Sequence, residues 1–177
     1  MPQSLVSLLV HVVFSTKHRA NLIVPEIEAD LFAFMAGVLK NHDSRLLAAN
    51  GTANHVHLLI AQSKNVALSL LIQELKKSTS RWIKARGAKF KNFQWQDGYG
   101  AFSIGESNVP ALKQYIARQK EKHRKESFEN ELVSMKNTCG ISNGATLSGS
   151  KHLFDAVPRA LPSAIMFIPF GDASVAG

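Results

Sequence analysis

Two histidines one residue apart, His55 and His57, stand immediately before Leu58, Leu59 and Ile60, in the stretch Asn54-His55-Val56-His57-Leu58-Leu59-Ile60. The aliphatic run reads as a buried strand, in which side chains alternate faces, so the two imidazoles point the same way, about 7 Å apart along the chain. Two neutral imidazole nitrogens on a rigid strand can grip one divalent cation, and they leave it in need of oxygen donors and water. A lone His-x-His is more often a structural pair, so a second element has to supply the rest. That element lies between Asn108 and Ser127, where Tyr115 and Gln119 are four residues apart and share a face of a helix. Gln119 offers an amide oxygen and Tyr115 a phenol. A phenol has an ordinary pKa of about 10 and attacks phosphorus only when a nearby cation activates it or its proton passes to water. Spacing alone equally allows Tyr115 to be a helix-edge tyrosine and Gln119 a surface amide. The other tyrosine, Tyr99, has no amide or acid at helical spacing and fits cross-strand packing.

The elements that must position these groups follow from periodicity. Residues 5–14 are nearly all aliphatic, with Val6, Leu8, Val10, Val12 and Phe14 on one face and Ser7 and His11 interrupting the other, which predicts a central strand in which His11 could border a site but is more often a tolerated strand histidine. A basic loop with Lys17 and Arg19 follows. Pro25, Glu26 and Glu28 open a helix running to about Asn41, its stripe formed by Ile27, Leu31, Phe34, Val38 and Leu39. Residues 45–50 form a second strand, and Asn50-Gly51 is a turn signal into the histidine strand. A second helix spans residues 66–86, burying Leu68, Leu71, Leu75, Trp82 and Ile83 and exposing Lys76, Lys77, Arg81, Lys84 and Arg86. Residues 92–95 and 99–104 flank Gln96-Asp97-Gly98 and predict a hairpin. The third helix, capped by Ser107 or Asn108 with Pro110 near its start, has a thin apolar stripe of Val109, Leu112 and Ile116 and is polar all round from Ala117 to Ser127. The order strand, helix, strand, strand, helix, strand pair, helix predicts an α+β fold with helices on an antiparallel sheet.

The chain has 177 residues and a net charge of +8, which suits one domain with a polyanionic partner, nucleic acid first. The basic residues suited to phosphate are Lys17, Arg19, Lys76, Lys77, Arg81, Arg118 and Lys122. A single cysteine, Cys139, excludes an internal disulfide and a cysteine-based zinc cluster, in keeping with a reducing cytoplasm. The apolar run of residues 5–14 is too short to cross a bilayer and lacks the frame of a signal peptide. The expected protein is soluble and cytoplasmic, nucleoid-associated when on DNA, with no membrane partner and no small-molecule cofactor. Past Lys136 the composition turns to Asn, Thr, Ser and Gly with few charges, and residues 133–177 read as a divergent tail, partly disordered, after a domain of residues 1–132.

Several segments in order resemble the single-tyrosine HUH transposases of insertion sequences, the TnpA and REP-associated tyrosine transposase group. They are His11-Val12-Val13-Phe14-Ser15-Thr16-Lys17; Gly51 through His55-Val56-His57-Leu58-Leu59; Leu75-Lys76-Lys77-Ser78 with Ser80-Arg81; Trp95-Gln96-Asp97-Gly98-Tyr99-Gly100-Ala101-Phe102-Ser103; and Tyr115-Ile116 with Gln119, Glu121 and His123 before Phe128. The resemblance covers residues 4–131. It implies a ferredoxin-like, HUH endonuclease-like fold and a homodimeric strand transferase acting on single-stranded DNA hairpins at element ends. It further implies Mg²⁺ or Mn²⁺ held by His55, His57 and Gln119, and a 5′-phosphotyrosyl link at Tyr115 that frees a 3′-hydroxyl and is later reversed. Two positions depart from the family: Asn54 stands where an acidic residue often precedes the motif, and the sequence from Val133 onward matches no part of it.

Two other readings use the same residues. A catalytically impaired or domesticated relative binds hairpin DNA through the basic surface without cleaving it, and predicts binding with no covalent adduct. A hydrolytic metalloenzyme uses His55 and His57 with water as nucleophile, and predicts activity indifferent to Tyr115→Phe.

Overall fold

A computed structural model describes residues 4–122, and the tail of residues 133–177, with His123 and Phe128, lies outside the described residues. The elements run β1 (Leu9–Ser15), α1 (Pro25–Lys40), β2 (Arg45–Gly51), β3 (His55–Ala61), α2 (Leu68–Lys84), β4 (Gly100–Ser103), α3 (Val109–Ala117) and α4 (Gln119–Lys122). The strands form one sheet in the order β2-β3-β1-β4, antiparallel throughout. Each of α1 and α2 connects two strands that have a third between them or beside them, so two βαβ units interlock. This is the ferredoxin-like arrangement expected of the sequence.

Alternation along the strands gives the sheet two unlike faces. Val12, Phe14, Val56, Leu58 and Ile60 join Ile27, Leu31, Met35 and Leu39 of α1 and Leu71, Ile72, Leu75 and Ile83 of α2 in one buried apolar cluster. The buried positions of α1 recur every four residues; Phe34 and Val38 flank them half-buried, Phe34 stacking on Trp82 of α2 at 5.2 Å. The opposite face carries His11, Val13 and Ser15 of β1 beside Leu59, His57 and His55 of β3, and α3 lies against β2 and β3 there.

Four local readings are corrected. β1 begins at Leu9, and Leu5, Val6 and Leu8 are exposed, because the neighbouring strands run out: Leu9 pairs with Ala61, the last residue of β3, and Val10 with Ser103, the last of β4. Asn50 and Gly51 belong to β2, and the turn is made by residues 52–54. Gly51 is required there by a close approach, since a Cβ would stand 2.3 Å from the carbonyl oxygen of His55.

The hairpin over residues 92–104 does not form. Trp95 instead bridges Thr16, Gln96 N–H donates to the Ser15 carbonyl, and Lys17 N–H donates to Gln94. The indole explains why: its Nε1–H donates to Thr79 Oγ1 of α2 at 2.9 Å while its ring meets Phe14 edge-on at 4.8 Å, which draws the segment to the end of β1. Finally, neither Ser107 nor Asn108 caps α3 by a side-chain hydrogen bond; a 3-10 turn, Glu106–Asn108, leads straight into it.

Candidate functional site

The histidine strand places His55 and His57 as expected, on one face and buried, with ring centroids 5.1 Å apart. Each ring is held at Nδ1, by different chemistry. His55 Nδ1 lies 2.7 Å from Asn54 Oδ1 and 2.9 Å from Thr52 Oγ1, both supplied by the β2–β3 turn. An amide oxygen can only accept, so Nδ1 carries the proton and Nε2 is the nitrogen with a lone pair to give. His57 Nδ1 lies 3.2 Å from Nε2 of His11, a diagonal neighbour across the β1–β3 ladder. His11 is therefore part of the site. Its strand position could be read from the sequence; its pairing with His57 needs the register.

Tyr115 comes from α3 and is half-buried above the same rings, edge-on to His57 at 6.0 Å and to His11 at 6.2 Å between centroids. The phenol and the paired imidazoles thus meet within one chain. Ile116, 1% exposed, is the buried anchor of α3, with Val109 and Leu112 half-buried, so its apolar contact is as narrow as the sequence suggests. A polar clamp supplements it: Asn50 Nδ2 donates to the carbonyl of Ala117 at 3.0 Å, and Asn50 is the β2 partner of His57.

That clamp coincides with a break in the expected continuous helix. Arg118 adopts φ −91°, ψ 9°, and its N–H is shared between the carbonyls of Gln114 and Tyr115 at 3.2 Å each. The Ala117 carbonyl accepts from Asn50, and Glu121 N–H goes to Arg118 instead. Gln119, first residue of α4, is fully buried, and among the described residues neither its Oε1 nor its Nε2 has a hydrogen-bond partner. Leaving a buried amide unpaired costs roughly 1–3 kcal/mol, which a polar ligand bound beside it would offset.

Two imidazoles and an amide oxygen fit a divalent cation of the Mg²⁺ to Mn²⁺ kind less completely than a carboxylate set, with water left to fill the remaining positions. Among the described residues no group of three or more His, Cys, Asp or Glu side chains could hold a metal ion.

The basic residues divide. Lys17 is half-exposed beside Asp97 at 3.5 Å, and Arg19, also half-exposed, has φ +55°; their loop is held to the Asn54 carbonyl, next to His55, by Thr16 N–H. Arg118 is exposed at the helix break. Lys77 and Arg81 are exposed on α2, across the sheet from the histidines. Lys122 ends α4. Lys76 is a correction: it is buried, and its ammonium donates to the carbonyls of Gln96 at 2.6 Å and Gly98 at 2.7 Å, bracing the turn that replaces the hairpin. Burial lowers its pKa to about 8, against the opposing pull of Asp97. Tyr99 is buried in the apolar cluster, and burial raises its pKa, which suits packing and not nucleophilic attack.

Residues 4–119 match the profile of the family described as IS200-like transposase. The chain belongs to this family. Its fold is shared with a candidate transposase of Deinococcus radiodurans R1, at 20% identity and a TM-score of 0.53 over 67% of this chain and 98% of that one. It is shared also with a REP-associated tyrosine transposase solved bound to a REP hairpin, at 15% identity and a TM-score of 0.54 over 91% and 98%. No curated protein sequence matches the chain. In this transposase chain no helix among the described residues is long and apolar enough to cross a membrane.

Proposed function

We propose that this transposase cleaves and rejoins single-stranded DNA at hairpin-marked ends through a phosphotyrosyl intermediate on Tyr115. The observation that carries the reading is Tyr115 edge-on over His57 at 6.0 Å, beside a pair of buried imidazoles. His55, His57 and Gln119 would hold Mg²⁺ or Mn²⁺, which when bound polarises the scissile phosphodiester and neutralises charge developing on it. The phenolic oxygen of Tyr115 forms the new P–O bond and the P–O3′ bond breaks. The phenolic proton passes to solvent, and the departing 3′-oxygen takes up a proton to become a hydroxyl. The 5′-phosphate stays on Tyr115 until a 3′-hydroxyl attacks it and restores the phenol, so strands are exchanged without net hydrolysis.

Lys17, Arg19 and Arg118, on the loop and helix break next to the histidine strand, are the phosphate contacts of this reading, and Lys77 and Arg81 lie across the sheet from the chemistry. The REP-associated relative was solved on a hairpin, and the charge of +8 suits the same class of partner here. The reading takes residues 1–132 as the catalytic domain, residues 133–177 as an appended tail, and the working form as a homodimer.

Incubation with single-stranded hairpin DNA and Mn²⁺ tests it. A covalent protein–DNA adduct is expected, lost in Tyr115→Phe and retained in Tyr99→Phe; release of cleaved DNA by Tyr115→Phe would overturn the tyrosine in favour of water.

One observation favours the binding-only alternative. Asn54 gives His55 a neutral acceptor, and a carboxylate there would make the imidazole a stronger ligand. On that alternative the wild-type protein binds the hairpin and forms no adduct, and Asn54→Asp is the substitution that restores one.

A further inference from the structure

The two site histidines are oriented by unequal partners. Asn54 Oδ1 only accepts, so it fixes the proton of His55 on Nδ1 outright. The partner of His57 is another imidazole, which can accept or donate. If His11 donates, the proton of neutral His57 sits on Nε2 and that nitrogen cannot bind a cation. If His57 donates from Nδ1, Nε2 is a ligand. The role His11 takes in this bond therefore decides whether Nε2 of His57 is available.

We propose that His11 is a positioning residue: its Nε2 accepts the Nδ1 proton of His57 and so fixes the one tautomer in which His57 can bind a divalent cation. The geometry suits this role. His11 and His57 are 4% and 0% exposed, so water does not compete for the bond. Their rings lie nearly in one plane, 26° apart with centroids separated by 5.4 Å, so the facing nitrogens meet in the 3.2 Å contact that β-ladder register imposes. His11 is in turn held by Phe102 at 5.9 Å, whose strand β4 pairs with β1 opposite it, and by the Tyr115 ring at 6.2 Å. A ring packed on three sides keeps Nε2 of His11 within hydrogen-bond reach of His57 Nδ1. His11 touches the phenol and a ligand imidazole together, so it also ties the placement of the nucleophile to that of the cation. Outer partners of metal-binding histidines commonly set ring orientation and basicity, and their loss costs roughly 10–100-fold in metal affinity.

This inference rests on the proposed cation site, and the test separates the two. The tautomer of His57 is read in metal-free, ¹⁵N-labelled protein from long-range proton–nitrogen correlations, and Mn²⁺ affinity from the electron paramagnetic resonance of free Mn²⁺. The wild type is expected to show a protonated Nδ1 and a bare Nε2 on His57. His11→Phe should lose that fixed tautomer and bind Mn²⁺ roughly 10–100-fold more weakly, while His11→Gln, whose amide oxygen can accept the same proton, recovers most of both. His11→Met replaces His11→Phe if the larger ring unfolds the protein, as judged by circular dichroism. A wild-type His57 protonated on Nε2, or a His11→Phe protein with unchanged tautomer and Mn²⁺ affinity within about twofold of wild type, overturns the proposal. Wild-type protein with the expected tautomer and no Mn²⁺ affinity overturns the cation site and upholds the His11–His57 assignment.

Discussion

The two faces of strand β3 are built from adjacent residues to opposite ends. Val56, Leu58 and Ile60 face α1 and α2 in a continuous apolar cluster. His55, His57 and Leu59 face α3, which is anchored by Ile116 and by the Asn50 clamp on Ala117. The apolar face is secured by the area it removes from water. On the other face, buried polar groups are organised by directional bonds, and the Gln119 amide has no hydrogen-bond partner among the described residues. The difference teaches that the sheet is stabilised from one side and works from the other, so substitutions should separate stability from function according to the parity of the residue number along β3.

The largest contrast comes from neighbours. Leu58→Ala should cost about 2–5 kcal/mol in urea unfolding through the cavity it leaves. Replacing His11 and His57 together by Leu removes both ends of one buried hydrogen bond and should change stability by about 1 kcal/mol or less, while abolishing Mn²⁺ binding. A double variant as unstable as Leu58→Ala would break the comparison.

Gly51→Ala attacks the junction of the faces. Its Cβ meets the backbone of His55, not a side chain that could move aside. A loss of about 1–3 kcal/mol is expected, with weaker Mn²⁺ binding because the strand end carrying His55 must shift. An unchanged urea midpoint would show that the turn yields freely.

Lys76 is the buried charge on the apolar side. Its pKa is about 8 in the folded protein against 10.5 unfolded, so between those values the unfolded chain binds more protons and stability rises with pH. The wild type should gain up to about 1.4 kcal/mol per pH unit over that window relative to Lys76→Met. Parallel pH profiles for the two proteins would place the ammonium in solvent.

The smallest effect sharpens the comparison outward, to the surface. Lys17→Ala and Arg19→Ala, at the histidine end, should each lower the salt dependence of single-strand binding by about 0.7 in log–log slope. Lys77→Ala and Arg81→Ala, across the sheet, should leave it unchanged. The reverse result would move the DNA path to α2.

Much of this arrangement was legible beforehand. Period-two alternation marked β3 and the shared face of His55 and His57, and helical spacing marked α1 and Leu71, Leu75 and Ile83 of α2, while Ile72 and Thr79 were missed and Leu68 and Trp82 are only half-buried. Tyr115 was distinguishable from Tyr99 because only Tyr115 has an amide one turn on. Lys76 was misread because its neighbours on α2 are exposed cations, and nothing in that helix shows that the 96–98 turn folds over it. The hairpin was misread because Asp97-Gly98 is a good turn signal whose local preference yields to the burial of Trp95.

By itself the sequence determined the order of elements, the apolar stripes and the identity of the groups able to bind a cation or attack phosphorus, because these depend on residue type and on spacing within one element. Only the tertiary structure decided that His11 reaches His57, that Asn50 takes the carbonyl of Ala117 and breaks the helix before Gln119, and that the phenol lies over the imidazoles. Those contacts join residues 46 to 104 positions apart, and their geometry is set by strand register and helix docking, which no local pattern encodes.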